Sequence, residues 1–263
     1  MSDERERDEL PDGFVRFSVG GAEVVCAPHV ADGVRTVLAG GTLYRYAQSH
    51  VHARALSGRG VVFAVPLPGD VERIVVRHNW HGGLFAALTR DWFRLPTRAP
   101  HELLVSEQLR ALHVPTPAML GYVIYHSVAG LVRVDVFSRE VPDSFDLAEV
   151  LRAPNPADVV QAWSATRQLV RALAAAGARH HDLNVKNILL QRTNGSGFAA
   201  YALDVDRVQF DDDRDAVNEA NIARLMRSAR KWQQELAAPI SDSELRDLEA
   251  LLRRPQPAPT TAS

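Results

Sequence analysis

The 263-residue sequence holds one cysteine, Cys26. That scarcity excludes an internal disulfide and a cysteine-ligated zinc site, and it fits a reducing compartment in which Cys26 is a small buried filler. There is no apolar run near the roughly 18 to 20 residues of a spanning helix. The charged opening, 1–9, lacks the apolar core of a signal peptide, so any membrane role is expected to be peripheral. Neither charge dominates: Lys and Arg number 30 against 32 Asp and Glu, for a net charge of -2. No global basic field is available to hold nucleic acid, which is therefore not an expected partner. At 46% hydrophobic and 24% charged, the chain reads as an ordinary globular protein, long enough for one two-lobed domain or two small ones.

What is present is concentrated in Ala178-Arg179-His180-His181-Asp182-Leu183-Asn184-Val185-Lys186-Asn187-Ile188-Leu189-Leu190, with Leu203-Asp204-Val205-Asp206-Arg207 downstream. The spacing is that of a phosphoryl-transfer loop, H-x-D-x-x-x-x-N. In such a loop the Asp accepts the proton of the attacking hydroxyl and the Asn, five residues on, holds a magnesium ion. Asp and Asn are also ordinary turn residues, so the spacing alone is weak. The flanking pattern strengthens it. Ile188-Leu189-Leu190 reads as a buried strand, Thr193-Asn194-Gly195-Ser196-Gly197 as a turn, and Ala200-Tyr201-Ala202-Leu203 as a returning strand that delivers Asp204. Asp182, Asn187 and Asp204 are thereby predicted to be neighbours.

Around this stretch, residues 1–12 read as a charge-rich disordered leader and 255–263 as a proline-rich disordered tail. Residues 14–19 alternate and meet Gly20-Gly21, a strand and turn, while 30–52 admits a helix that the pattern does not place. Gly58-Arg59-Gly60 opens a β-rich run, and the strand 72–77 ends in the cation Arg77. A glycine turn followed by a strand cation is how a kinase covers nucleotide phosphates, although most glycine pairs are only turns. Residues 80–98 are rich in aromatics and arginine. They suit core packing, or alternatively a face for an anionic ligand or a membrane surface. A helix over 101–112 offers Glu102 and Glu107 as partners for Arg77, and 119–126 with 131–138 form a hairpin. Arg139-Glu140-Val141-Pro142 lies where two lobes would meet, so Glu140 and Val141 join the nucleotide-binding candidates. Asn155-Pro156 opens a helix to about Ala176, with Val159, Val160, Trp163, Leu169, Val170 and Leu173 as its apolar stripe and Gly177 as its stop. Asp211-Asp212-Asp213 reads as a solvated acidic run, 216–236 as a helix, and Ser241 to Glu244 as the capping box of a last helix.

These pieces, in this order, resemble the 3-deoxy-D-manno-octulosonic acid (Kdo) kinases, lipopolysaccharide-core kinases with a protein-kinase-like fold. The resemblance rests on Gly58-Arg59-Gly60, on Arg77-His78 followed by Gly82-Gly83-Leu84, and on a Glu-bearing helix before Pro115-Thr116-Pro117. It rests further on the motif from His180 to Leu190, on Leu203 to Asp206, and on Asn221-Ile222-Ala223-Arg224-Leu225-Met226-Arg227-Ser228, similar to the family's N-x-x-R-L-x-R-S. It implies an α+β, bilobal fold: a β-rich N-lobe over 13–138, a hinge at 139–142 and a mainly helical C-lobe over 143–254. It implies ATP and Mg2+ as cofactors, Asp182 as catalytic base, Asn187 and Asp204 as metal ligands, and Arg77 with Glu102, Gly58, Arg59, Gly60, Glu140 and Val141 around the nucleotide. The implied acceptor is a Kdo residue on a lipid A-type glycolipid at the cytoplasmic face of the inner membrane. Departures lie at Asn79-Trp80-His81, at Val205 in place of a usual Phe, and at Lys186 in place of a common His. They leave open a heptose or other glycan kinase, or a kinase-like nucleotide-binding regulatory module without turnover.

Overall fold

The computed structural model describes residues 10–56, 61–69, 72–79, 93–127, 130–152, 155–195, 197–236 and 240–254. The chain divides into two compact units, Met1–Gln108 with Pro117–Val141, and Leu109–Thr116 with Pro142–Ser263.

The first unit is built on an eight-stranded antiparallel sheet. Its strands are β1 (Val15–Val19), β2 (Ala22–Cys26), β3 (Arg54–Leu56), β4 (Val62–Pro66), β5 (Arg73–His78), β6 (Phe93–Arg94), β7 (Met119–His126) and β8 (Leu131–Arg139). They run in the order β1-β2-β7-β8-β5-β4-β3, with β6 on β8. The stretch 30–52, which shows no clear period, holds two short helices, α1 (Ala31–Leu38) and α2 (Leu43–Ser49). Helices of that length take their stability from docking rather than from propensity. A third helix, α3 (Ala99–Ala111), of which 99–108 belong to this unit, starts two residues ahead of its expected position.

Because side chains alternate along a strand, the sheet has two apolar faces. Val24, Cys26, Val65, Ile74, Val76, Val123 and Phe137 pack with α1 and α2. Val25, Tyr122, Ile124, Val134 and Val136 pack with Ala99 and Leu103 of α3. Cys26 is the buried filler expected of it, and burial pushes its thiol up to about 11. Since Val76 belongs to the α1/α2 face, Arg77 emerges on the face of α3.

The second unit contains β9 (Ser144–Asp146), α4 (Leu147–Arg152), α5 (Pro156–Ala175), β10 (Ala178–His180), β11 (Ile188–Arg192), β12 (Phe198–Ala202), β13 (Val208–Phe210), α6 (Arg214–Leu236) and α7 (Asp242–Arg253). The predicted hairpin forms, with Ile188 opposite Ala202 and Arg192 opposite Phe198, and β9 covers the other edge of β11. β10 pairs instead with β13. Helix α5 opens as the sequence indicates, with the Asn155 side chain accepting from Ala157 N–H at 3.1 Å. Its stripe needs one correction: Val160, the fifth residue of the helix, is 64% exposed, whereas Trp163, Leu169, Val170 and Leu173 are buried. The acidic run does more than sit in solvent, since Asp213 Oδ1 accepts from Ala216 N–H at 3.0 Å and so caps α6. The capping box from Ser241 to Glu244 opens α7.

Gly177 ends α5 at a φ of 67° and turns the chain into β10. A Cβ there would lie 2.2 Å from the carbonyl oxygen of Asp211, which no side-chain rotation can relieve. Gly177→Ala is therefore expected to cost at least about 2 kcal/mol in urea unfolding. The control Gly20→Ala, also at positive φ but with nothing within 4 Å of the new Cβ, should cost only about 1 kcal/mol. Equal losses in the two variants would contradict the crowding argument.

Candidate active site

His180 closes β10, and residues 181–187 form an irregular loop between β10 and β11. Its backbone polar groups are satisfied largely by side chains, as buried loops require. His180 is buried; its Nδ1 accepts the Asp182 N–H at 3.2 Å and its Nε2–H donates to the Leu203 carbonyl at 2.8 Å. The two bonds together fix the Nε2–H tautomer. They also tie the loop to the chain just before Asp204. Burial holds the His180 pKa below the ordinary 6.5, against the raising effect of the Leu203 bond and of Asp204, Asp182 and Asp206.

Asp182 and Asn187 are both buried, and the Asn187 Nδ2 donates to the Asp182 carbonyl at 2.9 Å. With the amide nitrogen turned inward, the amide oxygen is the atom left to meet a cation. Leu203 N–H donates to the Asn187 carbonyl at 2.9 Å, which brings the end of the second hairpin strand onto the loop. Asp204 follows in the left-handed region, φ 53° and ψ 52°. Outside glycine that conformation is commonest for Asn and Asp, and it recurs at functional sites. The structure thus brings Asp182, Asn187 and Asp204 onto one loop-and-hairpin assembly within the second unit.

In the first unit, Arg77 Nη2 donates to both carboxylate oxygens of Glu102, at 2.6 and 2.7 Å. Alternation along β5 and the register of α3 produce this pair. Glu140 is engaged by its own neighbours: Arg73 Nε donates to its carboxylate at 2.7 Å, Arg54 bonds the other oxygen, and its N–H donates to the Arg73 carbonyl at 2.9 Å. Val141 is the last residue of the first unit. Gly58, Arg59 and Gly60 lie outside the described residues, as do Trp80, Gly82, Gly83, Leu84, Phe85, Arg90 and Trp92. Phe93, from the same aromatic stretch, packs against the core on the α3 face.

Several contacts were not anticipated from the sequence. Asn184 Nδ2 donates to the carbonyl and to Oδ1 of Asp182, at 3.0 and 3.3 Å, while its own Oδ1 accepts the Lys186 N–H at 2.9 Å. Arg224 Nη2 meets Asp182 Oδ1 at 2.5 Å. Lys186, one of the departures noted above, places its ammonium 5.3 Å from the centre of the Trp232 ring. In the first unit His78 Nδ1 lies 2.6 Å from Asp135, whose other oxygen accepts from Tyr125 and from the Tyr44 N–H at the start of α2. His78, Asn184 and Arg224 stand in the patterns on which the resemblance rests, but those patterns carry no sign of the partners that the structure gives them.

A buried loop Asp beside an Asn, with a second Asp at the end of the hairpin, in a fold of mixed helix and sheet, suits a phosphotransferase of the kinase type. Residues 53–254 match the lipopolysaccharide kinase (Kdo/WaaP) family, and the chain belongs to that family. Among relatives, the 3-deoxy-D-manno-octulosonic acid kinase of Vibrio parahaemolyticus is 29% identical over 183 residues, 66% of this chain and 71% of that one. The enzyme of the same name from Xylella fastidiosa is 28% identical over 208 residues, 77% and 78% of the two chains. The solved structure of WaaP in complex with acyl carrier protein aligns over 84% of this chain and 86% of its own, at 15% identity and a TM-score of 0.48.

The environment of His180 sets a pH dependence. With the folded pKa below 6.5, the unfolded chain takes up this proton first as the pH falls. The contribution of neutral His180 is complete above 6.5 and is lost as the pH drops from there toward the folded pKa, with a limiting slope of about 1.4 kcal/mol per pH unit. Unfolding free energies measured from pH 8 to 5 should fall more steeply for the wild type than for His180→Asn. Parallel curves would show that the imidazole is not held neutral.

Proposed function

We propose that this protein transfers the γ-phosphate of ATP to a hydroxyl of a Kdo residue on a lipid A-type precursor in lipopolysaccharide core synthesis. The observation that carries the reading is the assembly of Asp182, Asn187 and Asp204 on one loop and hairpin, in a chain of the lipopolysaccharide kinase family. Asp182 is the base. As the acceptor oxygen bonds the γ-phosphorus and the bond to ADP breaks, the hydroxyl proton passes to its carboxylate.

The inward turn of the Asn187 amide nitrogen and the presence of Asp204 beside it suit a pair of oxygen ligands for Mg2+. When bound, that ion would neutralise charge on the β- and γ-phosphates. The Arg77 guanidinium, oriented by Glu102, supplies positive charge for the nucleotide, with Gly58, Arg59, Gly60, Glu140 and Val141 as its further binding candidates. The first unit serves as the N-lobe of a protein-kinase-like fold, 139–142 as the hinge and the second unit as the C-lobe. Among the described residues no helix is long and apolar enough to cross a membrane. We place the protein at the cytoplasmic face of the inner membrane through peripheral contact, for which the aromatic and arginine-rich segment 80–98 is the candidate.

Purified protein incubated with γ-labelled ATP, Mg2+ and a panel of acceptors tests the reading. Label is expected on Kdo-lipid A and absent from lipid A lacking Kdo, and Asp182→Asn should lower transfer by about 10³-fold while nucleotide binding persists. Label on a heptosylated acceptor alone would move the assignment to a heptose kinase. Transfer to no lipopolysaccharide-core acceptor would overturn the substrate. Glu102→Ala should raise the KM for ATP more than it lowers kcat, because it frees the cation without touching the base.

A further inference from the structure

Helix α6 turns one face toward the loop that carries Asp182. Asn221, Arg224 and Ser228 stand three and seven positions apart, the spacing of neighbours along a helix face. Each grips a different part of the loop. The Asn221 side chain accepts the His180 N–H at 2.9 Å and donates to the Ala178 carbonyl at 3.0 Å, so it substitutes for a strand partner of β10. Ser228 Oγ accepts the Val185 N–H at 3.3 Å. Between them Arg224 donates from Nε to the His181 carbonyl at 3.2 Å and from Nη2 to Asp182 Oδ1 at 2.5 Å. Asn184 Nδ2 addresses the same oxygen at 3.3 Å.

We infer that Arg224 is a positioning residue for phosphoryl transfer, fixing the Asp182 carboxylate by bridging it to the loop backbone. The inference rests on the reading of Asp182 as base. Two donors on one carboxylate oxygen hold the plane of the group. Bonding Nε to the backbone at the adjoining residue holds the donor itself. A base locked in this way does not have to search rotamers when the nucleophile arrives, and displacement of a reacting group by about 1 Å costs on the order of 10²-fold in rate. The role calls for arginine. Its planar fork offers two nitrogens in fixed relation, one for the carbonyl and one for the carboxylate, whereas the lysine ammonium is a point charge on a flexible stem whose donors rotate and fix neither partner's orientation. Asn221 and Ser228 keep helix and loop in register so that the fork meets both targets.

The test uses basal ATP hydrolysis by the full chain without acceptor, which runs through the same base and does not depend on the sugar. There water bonds the γ-phosphorus, the bond to ADP breaks and the water proton goes to Asp182. Arg224→Ala is expected to lower kcat by about 10²-fold with the KM for ATP within twofold of wild type, and added guanidinium should restore part of the loss. Arg224→Lys, which keeps the charge and the stem and guards against a folding defect in the alanine variant, should still lose more than tenfold. In an Asp182→Asn background, Arg224→Ala should produce no further loss, because its effect passes through that carboxylate. Full kcat in both Arg224 variants, or the same factor lost with and without Asp182, would overturn the inference. If instead Asp182→Asn alone keeps wild-type hydrolysis, the base assignment itself is wrong and the inference falls with it.

Discussion

A buried loop with no ladder of its own must find partners for its peptide groups, and the site depends on how this chain meets that requirement. Between β10 and β11 the partners are mostly side chains. His180 takes the Asp182 N–H and reaches the Leu203 carbonyl, Asn184 and Asn187 bond back onto Asp182, and Asn221 and Ser228 supply a donor and acceptors from α6. The polar residues to which the proposed chemistry is assigned are therefore also those that hold the loop's shape. Substitutions in such a network rarely act alone, since each leaves a buried partner unsatisfied.

The first unit solves a different problem with a sheet covered on both faces. Alternation along β5 sends Val76 into the core beneath α1 and α2 and Arg77 toward α3, where Glu102 holds it. One residue further, His78 returns to the α1/α2 face and meets Asp135. That fully buried carboxylate is bonded by His78, by the Tyr125 hydroxyl and by the Tyr44 N–H, which fastens the first turn of α2 to the sheet. Adjacent residues in the sequence Arg77-His78 thus serve opposite faces.

Much of this was legible in the sequence because it is encoded locally. The five-residue step from Asp182 to Asn187, the turn before the strand that delivers Asp204, and the Asn155, Pro156 and Gly177 signals around α5 are each contained within a few neighbouring residues. What stayed hidden is long-range or short. Helices α1 and α2 span eight and seven residues, too few for a period to declare itself. The partners of Asp135 lie 10, 57 and 91 positions away, and Arg224 reaches Asp182 across 42. Val160 looked like core because its type and spacing fit the stripe, yet burial near a helix start depends on what packs there. The arginine of N-x-x-R-L-x-R-S was visible as a pattern, but its target was not.

The central claim is that this side-chain scaffold presents Asp182, Asn187 and Asp204 as one phosphoryl-transfer site. A crystal structure of the protein with a non-hydrolysable ATP analogue and Mn2+ in place of Mg2+ tests it most directly, because the anomalous signal locates the ion independently of any assignment. The account predicts a Mn2+ peak liganded by the Asn187 amide oxygen and the Asp204 carboxylate, with the Asp182 carboxylate outside the coordination shell. A nucleotide complex whose metal touches neither residue would contradict it.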